Sequence, residues 1–238
     1  MPPTAVLISC EHGGQRIPPA YRALFADQSA LLATHRGYDP GALKMSQDLA
    51  AAFAAPLVAS TTSRLLVDLN RSIGHPALFS ATTRDLPPAQ RAQILDRHYR
   101  PYRNAIDAAA EKLLAGGRRL IHLSSHSFTP ELDGELRTAD VGLLYDPARP
   151  GEAALCGRWK AALADLAPAG FGPLRVRRNY PYRGQGDGLT AHLRKRFPPE
   201  AYLGIELEIN QAIVFAGGRR WTRLRGLLIE SLRAAMAA

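Results

Sequence analysis

The sequence predicts an α/β fold: one domain, residues 1–238, in which helices flank a mostly parallel sheet. Three observations predict it. Short apolar runs alternate with longer Ala-, Leu- and Arg-rich stretches of helical period along the whole chain. No internal repeat or low-complexity linker interrupts that alternation. At 238 residues the chain is long enough to bury one large core, and the length requires no second domain.

The elements follow in order. "TAVLIS" is the first strand, and "GALKMSQDLAAAFAA" has helical spacing that Pro56 stops. "RLLVDLN" reads as a strand or an extended edge. "LPPAQRAQILDRHYRPYRNAIDAAAEKLLAGG" is one long helical region, interrupted or kinked near Pro101 and closed by Gly116 and Gly117. "RRLIHLSSHSF" and "DVGLLYD" are strands, followed by a helix over "EAALCGRWKAALADLA". After "PLRVRRNYPY" come the loop "RGQGDG", a short helix over "LTAHLRKRF", a strand in "YLGIELEINQAI" and a closing helix over "RWTRLRGLLIESLRAAMA".

The formal charge of +9 is carried mostly by arginines scattered along the chain. Nucleic-acid backbones call for a clustered basic stripe, so this distribution points to small anionic ligands instead. Two cysteines, Cys10 and Cys156, make no disulfide framework and no CxxC pair, which fits a reducing compartment. "MPPTAVLIS" lacks the basic start and long apolar core of a signal peptide, and no apolar run approaches spanning length. The expectation is a cytoplasmic protein with neither membrane nor nucleic-acid partner.

In an open α/β sheet, ligands collect beyond the carboxyl ends of the strands. Ionisable groups recur there: Glu11 and His12, then Asn70 and Arg71, then His126, then Glu206 and Glu208. Strand geometry puts His122, Ser124 and His126 on one face, with His122 read as a hydrogen-bonded core histidine and His126 as a metal ligand or acid/base group. Glu206 and Glu208 also share a face, flanked by apolar residues. The alternatives are a solvent-facing edge strand, or a covered strand whose carboxylates need a cation, a metal or a proton. "SRLLVDLNRS" offers Arg71 and Asn70 for a carboxylate, or an ordinary Arg–Asp68 ion pair on a surface turn.

In this order, "CEHGGQRIP", "HRGYDPGA", "RLLVDLNR", "HSFTP", "NYPYRGQGDG" and "GIELEINQ" resemble the N-formylglutamate amidohydrolase family, within the zinc carboxypeptidase and deacylase superfamily. The resemblance runs from Ser9 to Gln211. It implies a mixed, mostly parallel sheet of the zinc-exopeptidase (phosphorylase/hydrolase-like) type, zinc or another divalent metal as cofactor, and a small anionic amino-acid-derived substrate such as N-formyl-L-glutamate. It implies His12 and His126 as metal ligands and Glu208 as the base that takes a proton from the attacking water and passes it to the leaving amine. Arg64 would stabilise the oxyanion, Asn70 and Arg71 would hold the substrate carboxylate, and Tyr182 would close over the substrate. The superfamily's H-x-x-E pattern meets Gln15 here, leaving Glu11, Gln15 and Asp39 as alternatives for the third ligand, while Asp39 also suits the cap of the helix starting near Gly41. On this reading Gly13 and Gly14 let the backbone approach the substrate. Two other chemistries remain open: a Cys10 nucleophile sharing a strand face with His12, and a binding protein whose metal site has decayed.

Overall fold

The strands of the computed structural model, which describes residues 3–166 and 173–238, are β1 (Thr4–Cys10), β2 (Leu57–Ala59), β3 (Arg119–Phe128), the hairpin β4 (Glu131–Leu132) and β5 (Glu135–Leu136), β6 (Val141–Leu144), β7 (Val176–Arg178) and β8 (Tyr202–Asn210). Six of them form one sheet in the order β2-β1-β3-β8-β6-β7. The pairs β1/β2, β1/β3, β3/β8 and β6/β7 are parallel, whereas β6 runs antiparallel to β8. The sheet is therefore mixed and mostly parallel, as expected.

Helices α1 (Ser29–Leu32), α2 (Ala42–Phe53), α3 (Pro88–Ile94), α4 (Arg100–Leu114), α5 (Pro150–Leu166), α6 (Leu189–Arg196), α7 (Gln211–Ala216) and α8 (Gly218–Ala237) complete the architecture. Ala167, the last residue of the helix expected over 152–167, lies outside the described residues. On one face of the sheet, α2, α5 and α8 pack Met45, Leu49, Trp159, Leu163, Leu224 and Leu228 against Ile8, Leu123, Ile205 and Leu207. The stripe of α8 explains its seat: Leu224, Leu227, Leu228, Ser231, Leu232 and Ala235 recur at helical spacing and are all buried. On the other face, α4 and α6 cover Leu7, Leu120 and Tyr202 with Tyr102, Ile106, Ala110, Leu189 and Leu193. Among the described residues, no helix is long and apolar enough to cross a membrane.

Two expectations are corrected. "RLLVDLN" is not a strand but a run of turns, closed by Leu66 N on Ser63 O at 3.0 Å and Arg71 N on Asp68 O at 3.2 Å, with Leu65, Leu66, Val67 and Leu69 all buried. Side chains from elsewhere satisfy its carbonyls in place of a ladder: Ser80 Oγ donates to Leu65 O at 2.6 Å, Thr83 Oγ1 to Leu66 O at 3.1 Å and Arg103 Nη1 to Leu69 O at 3.2 Å. The long helical region is continuous through Pro101, but Leu95–Tyr99 is π-helical. A proline has no N–H to return to the preceding turn, and the wider turn sits directly before it.

A buried ion pair ties the second half of the chain together. Glu152, fully buried on α5, accepts Arg194 Nε at 3.0 Å, Gly204 N at 2.9 Å and Asp146 N at 2.8 Å. Arg194, on α6, also donates to the carbonyls of Gly184 and Gly204 at 2.6 and 2.7 Å, fixing the loop before α6 to β8. Arg194→Leu strands the Glu152 charge and is expected to lower stability by about 3–5 kcal/mol in urea unfolding. A loss under about 1 kcal/mol would mean that water reaches the pair.

Candidate active site

The site grows from one face of three neighbouring strands. The registers Ser9↔Ser124 and Ser124↔Glu206 put β1, β3 and β8 in step, with His122 opposite Leu7 and Gly204, and His126 opposite Glu208. On this face the strands begin with Leu7, Leu120 and Tyr202 and turn polar toward their carboxyl ends, through His122, Ser9, Ser124 and Glu206 to His126 and Glu208. The opposite face of β8 stays apolar through Ile205, Leu207 and Ile209. Because β8 lies between β3 and β6, the edge-strand alternative for Glu206 and Glu208 does not apply. Gly142, the register partner of Glu208 on β6, has no room for a Cβ, since the Tyr180 carbonyl occupies that space.

His12, Asp39 and His126 converge where β1 and β3 end, all buried, with one ligand atom from each within 4.8 Å of the others. Asp39 Oδ2 lies 2.9 Å from His126 Nδ1 and 3.4 Å from His12 Nδ1. The other nitrogen of each ring faces a second acid: His12 Nε2 is 2.8 Å from Asp68 Oδ1, and His126 Nε2 is 3.2 Å from Glu11 Oε2 and 2.8 Å from Ser124 Oγ. Arg64 spans Asp68 and Asp39, at 2.7 and 3.5 Å.

Burial would raise every acid here, yet the surrounding cations and donors win. Asp39 is held well below the carboxylate range by the charge and hydrogen bond of His12, by His126 and by Arg64; Asp68 is held down by Arg64 and His12, and Glu11 by His126, Ser124 and Ser9. Burial works against protonating His126, but Asp39 and Glu11 raise its pKa well above the ordinary value. Three carboxylates thus meet one guanidinium, and two neutral imidazoles would leave a surplus of two negative charges. A divalent cation matches that surplus, and two imidazoles with a carboxylate are a donor set for zinc, each ring oriented by an outer carboxylate. The residues fit a metal.

All the expected site residues line one cavity of about 390 Å³: His12, Arg64, Asn70, Arg71, His126, Tyr182 and Glu208, together with Asp39, His35, Arg183 and Asp187. Glu208 Oε2 and Arg71 Nε are buried without a hydrogen-bond partner. Burial pushes the Glu208 carboxyl up to about 8, with Asp39 and Glu206 adding to the rise against His126 and Arg64. The carbonyl oxygen of Asn70 is occupied, accepting Leu189 N at the start of α6 at 2.6 Å, so only its amide nitrogen is left for a ligand. Tyr182, 47% exposed, accepts from Arg137 Nη1 at 2.9 Å.

Of the three alternatives for the third ligand, Asp39 joins the histidines. Its side chain caps no helix: α2 starts without a side-chain cap. Gln15 is exposed and outside the cavity, while Glu11 receives Ser124, Tyr102 and His126. Packing also requires Gly13 and Gly14, because a Cβ on either would press on the carbonyls of Ser60 and Thr61 at 2.8 Å, and neither residue lines the cavity. Cys10 is fully buried beside Ser46, outside the cavity, and burial raises its thiol well above the ordinary value, so it does not share a reactive face with His12. Sequence reasoning does not place Asp68 and Glu11 against the outer nitrogens of the two histidines, nor the clasp between Ser72 N and Asp187 Oδ2 at 2.8 Å beside the cavity. The Arg64–Asp68 spacing of four was the only sequence signal for the first of these.

Comparison with known proteins identifies the class and then the family. A gene product of Agrobacterium tumefaciens is 30% identical, with a TM-score of 0.83 over 98% of this chain and 90% of that one. N-formylglutamate amidohydrolase from Ralstonia eutropha shares the fold at 20% identity, with a TM-score of 0.69 over 100% and 94% of the two chains. A metallo-carboxypeptidase from Pseudomonas aeruginosa reaches a TM-score of only 0.42 at 15% identity, over 99% of this chain and 57% of that one, too low to carry a functional comparison. None of the curated proteins compared gives a significant match. The chain is an amide hydrolase acting on C–N bonds. The model of the N-formylglutamate amidohydrolase family matches residues 4–215, and the chain belongs to that family.

The unpartnered Glu208 carries a stability consequence. Its folded pKa lies near 8, above the unfolded value, so its neutral form stabilises the fold fully below about pH 4.5 and that contribution is lost as pH rises through 8. In metal-free protein, Glu208→Gln is therefore expected to match the parent near pH 4 and exceed it by on the order of 4 kcal/mol at pH 8. Equal unfolding free energies across that range would show that the carboxylate is solvated.

Proposed function

We propose that the chain is a metal-dependent deacylase that removes the N-acyl group, formyl in the family's name, from an acidic amino acid such as N-formyl-L-glutamate. The observation that carries this reading is the convergence, in one cavity, of the His12–Asp39–His126 cluster with the unpartnered Glu208 Oε2 and Arg71 Nε. His12, Asp39 and His126 would hold the metal. A divalent ion at such a site polarises an amide carbonyl and acidifies water.

Glu208 takes the proton of the attacking water as it adds to the acyl carbon, and returns that proton to the amine as the C–N bond breaks, giving the free acid and the amino acid. A carboxyl whose pKa lies near 8 is a stronger base than an ordinary glutamate, and its ionised fraction, which grows as pH rises toward 8, is the form that takes the proton. Arg64, cationic and lining the cavity, faces the charge that develops on the carbonyl oxygen. Arg71 Nε and the amide nitrogen of Asn70 bind the substrate carboxylate, and Arg183 adds cationic character to the same wall. Tyr182 covers the mouth.

Formate release from N-formyl-L-glutamate, followed before and after chelation and paired with elemental analysis, tests the reading. Stoichiometric metal and chelator-sensitive release are expected; undiminished release from metal-free protein, or none from zinc- or cobalt-loaded protein, would refute it. Glu208→Gln is expected to lower kcat by about 10²–10⁴-fold while leaving metal content unchanged. Arg71→Ala is expected to raise KM by about 10–100-fold with little change in kcat, the cost of one charge-assisted hydrogen-bonding group.

A further inference from the structure

Asp187 lines the cavity, and a carboxylate in the wall of a site for an anionic substrate repels that substrate unless its charge is engaged elsewhere. One residue engages both of its oxygens: Ser72 N donates to Oδ2 at 2.8 Å and Ser72 Oγ to Oδ1 at 2.5 Å. Burial works to raise this carboxyl, but the Ser72 hydrogen bonds hold it below the ordinary value. It stays ionised at neutral pH and serves as an acceptor.

The clasp joins two short strips of chain, 70–72 and 187–189, which hold each other at three points. Leu189 N donates to Asn70 Oδ1 at 2.6 Å, Arg71 Nη1 donates to the Asp187 carbonyl at 2.5 Å, and Ser72 donates to the Asp187 carboxylate. The first strip is anchored from behind, where Tyr99 Oη donates to Arg71 O at 2.7 Å and Arg103 Nη1 to Leu69 O at 3.2 Å. What this leaves to be set is the Arg71 side chain. In the second strip Leu189 belongs to α6, but Asp187 stands between Gly186 and Gly188, whose backbones are the least restricted of any residue type. The side-chain clasp therefore sets where the Asp187 carbonyl sits, and that carbonyl sets the Arg71 guanidinium.

We propose that Asp187 is a positioning residue for the substrate carboxylate: by clasping Ser72 it holds its carbonyl on Arg71 Nη1, and so leaves Arg71 Nε, together with the Asn70 amide nitrogen, free for the ligand. This rests on the reading that Arg71 and Asn70 bind that carboxylate.

Binding of N-formyl-L-glutamate, read by titration calorimetry in metal-loaded Glu208→Gln protein where turnover is slow, tests the link through a double-mutant cycle. Asp187→Ala is expected to raise Kd about 10-fold, and by less than about threefold in the presence of Arg71→Ala. Asp187→Asn, whose amide accepts from Ser72 N and donates to Ser72 Oγ, is expected to stay within about threefold of its parent. In protein that keeps Glu208, Asp187→Ala is expected to raise KM about 10-fold while kcat stays within about threefold. Circular dichroism verifies folding, and Ser72→Ala, which removes one of the two donors, carries the test with a rise in Kd of about threefold if Asp187→Ala does not fold. Equal losses from Asp187→Ala with and without Arg71→Ala, or a loss in Asp187→Asn as large as in Asp187→Ala, would overturn the proposal. Unchanged binding in Asp187→Ala while Arg71→Ala weakens it would overturn the proposal and leave the reading of Arg71 intact. Unchanged binding in both would overturn that reading, and the proposal with it.

Discussion

Three carboxylates, Glu11, Asp39 and Asp68, are buried beyond the carboxyl ends of β1 and β3, and the arrangement around them follows from the need to compensate their charge. Uncompensated, each would cost several kcal/mol or take up a proton. Two imidazoles and the Arg64 guanidinium lie against them, and Asp39 bridges both rings. Backbone and side-chain bonds hold the end of β1, the segment before α2 and the end of β3 together: Asp39 N donates to His12 O at 2.9 Å, Ser125 Oγ on β3 donates to Ala42 O at 3.0 Å, and the Asp39 carboxylate then reaches the end of β3. The negative surplus that remains is the physical reason the cluster suits a divalent cation.

Around this centre the protein leaves some groups unsatisfied and over-satisfies others. Glu208 Oε2 and Arg71 Nε are buried without partners, whereas Glu11 receives several donors and Glu152 is ringed by them. The unsatisfied atoms line the cavity, and the saturated ones sit behind it or in the core. Tyr21 Oη, Arg91 Nε and Arg225 Nε are also buried without partners elsewhere, but Glu208 Oε2 and Arg71 Nε are the two such atoms whose residues line the cavity, where a ligand would meet their unmet hydrogen-bonding capacity. The saturated groups hold that wall still: Arg194 fixes the loop before α6, and Asp187 clasps Ser72 from that loop.

Much of this was legible in the chain. The alternation of short apolar and helical segments predicted the α/β architecture, and the period-two pattern of "LIHLSSHSF" and "GIELEIN" placed His122, Ser124, His126, Glu206 and Glu208 on shared faces, as the registers show. "RLLVDLN" misled because a wholly buried irregular segment has the same apolar run as a strand, and its backbone is satisfied by Ser80, Thr83 and Arg103, which lie 15 to 34 residues away. The glycines of "EHGG" carry a requirement that local sequence does not reveal: their small size is needed against Ser60 and Thr61.

By itself the sequence determined the fold class, the strand faces and the residue types that gather at the carboxyl ends, because these depend on local period and on the chemistry of single side chains. Only the tertiary structure decided which acid joins His12 and His126. Asp39 lies 27 residues from one histidine and 87 from the other, while Glu11 and Gln15, both closer in sequence to His12, are turned to other uses.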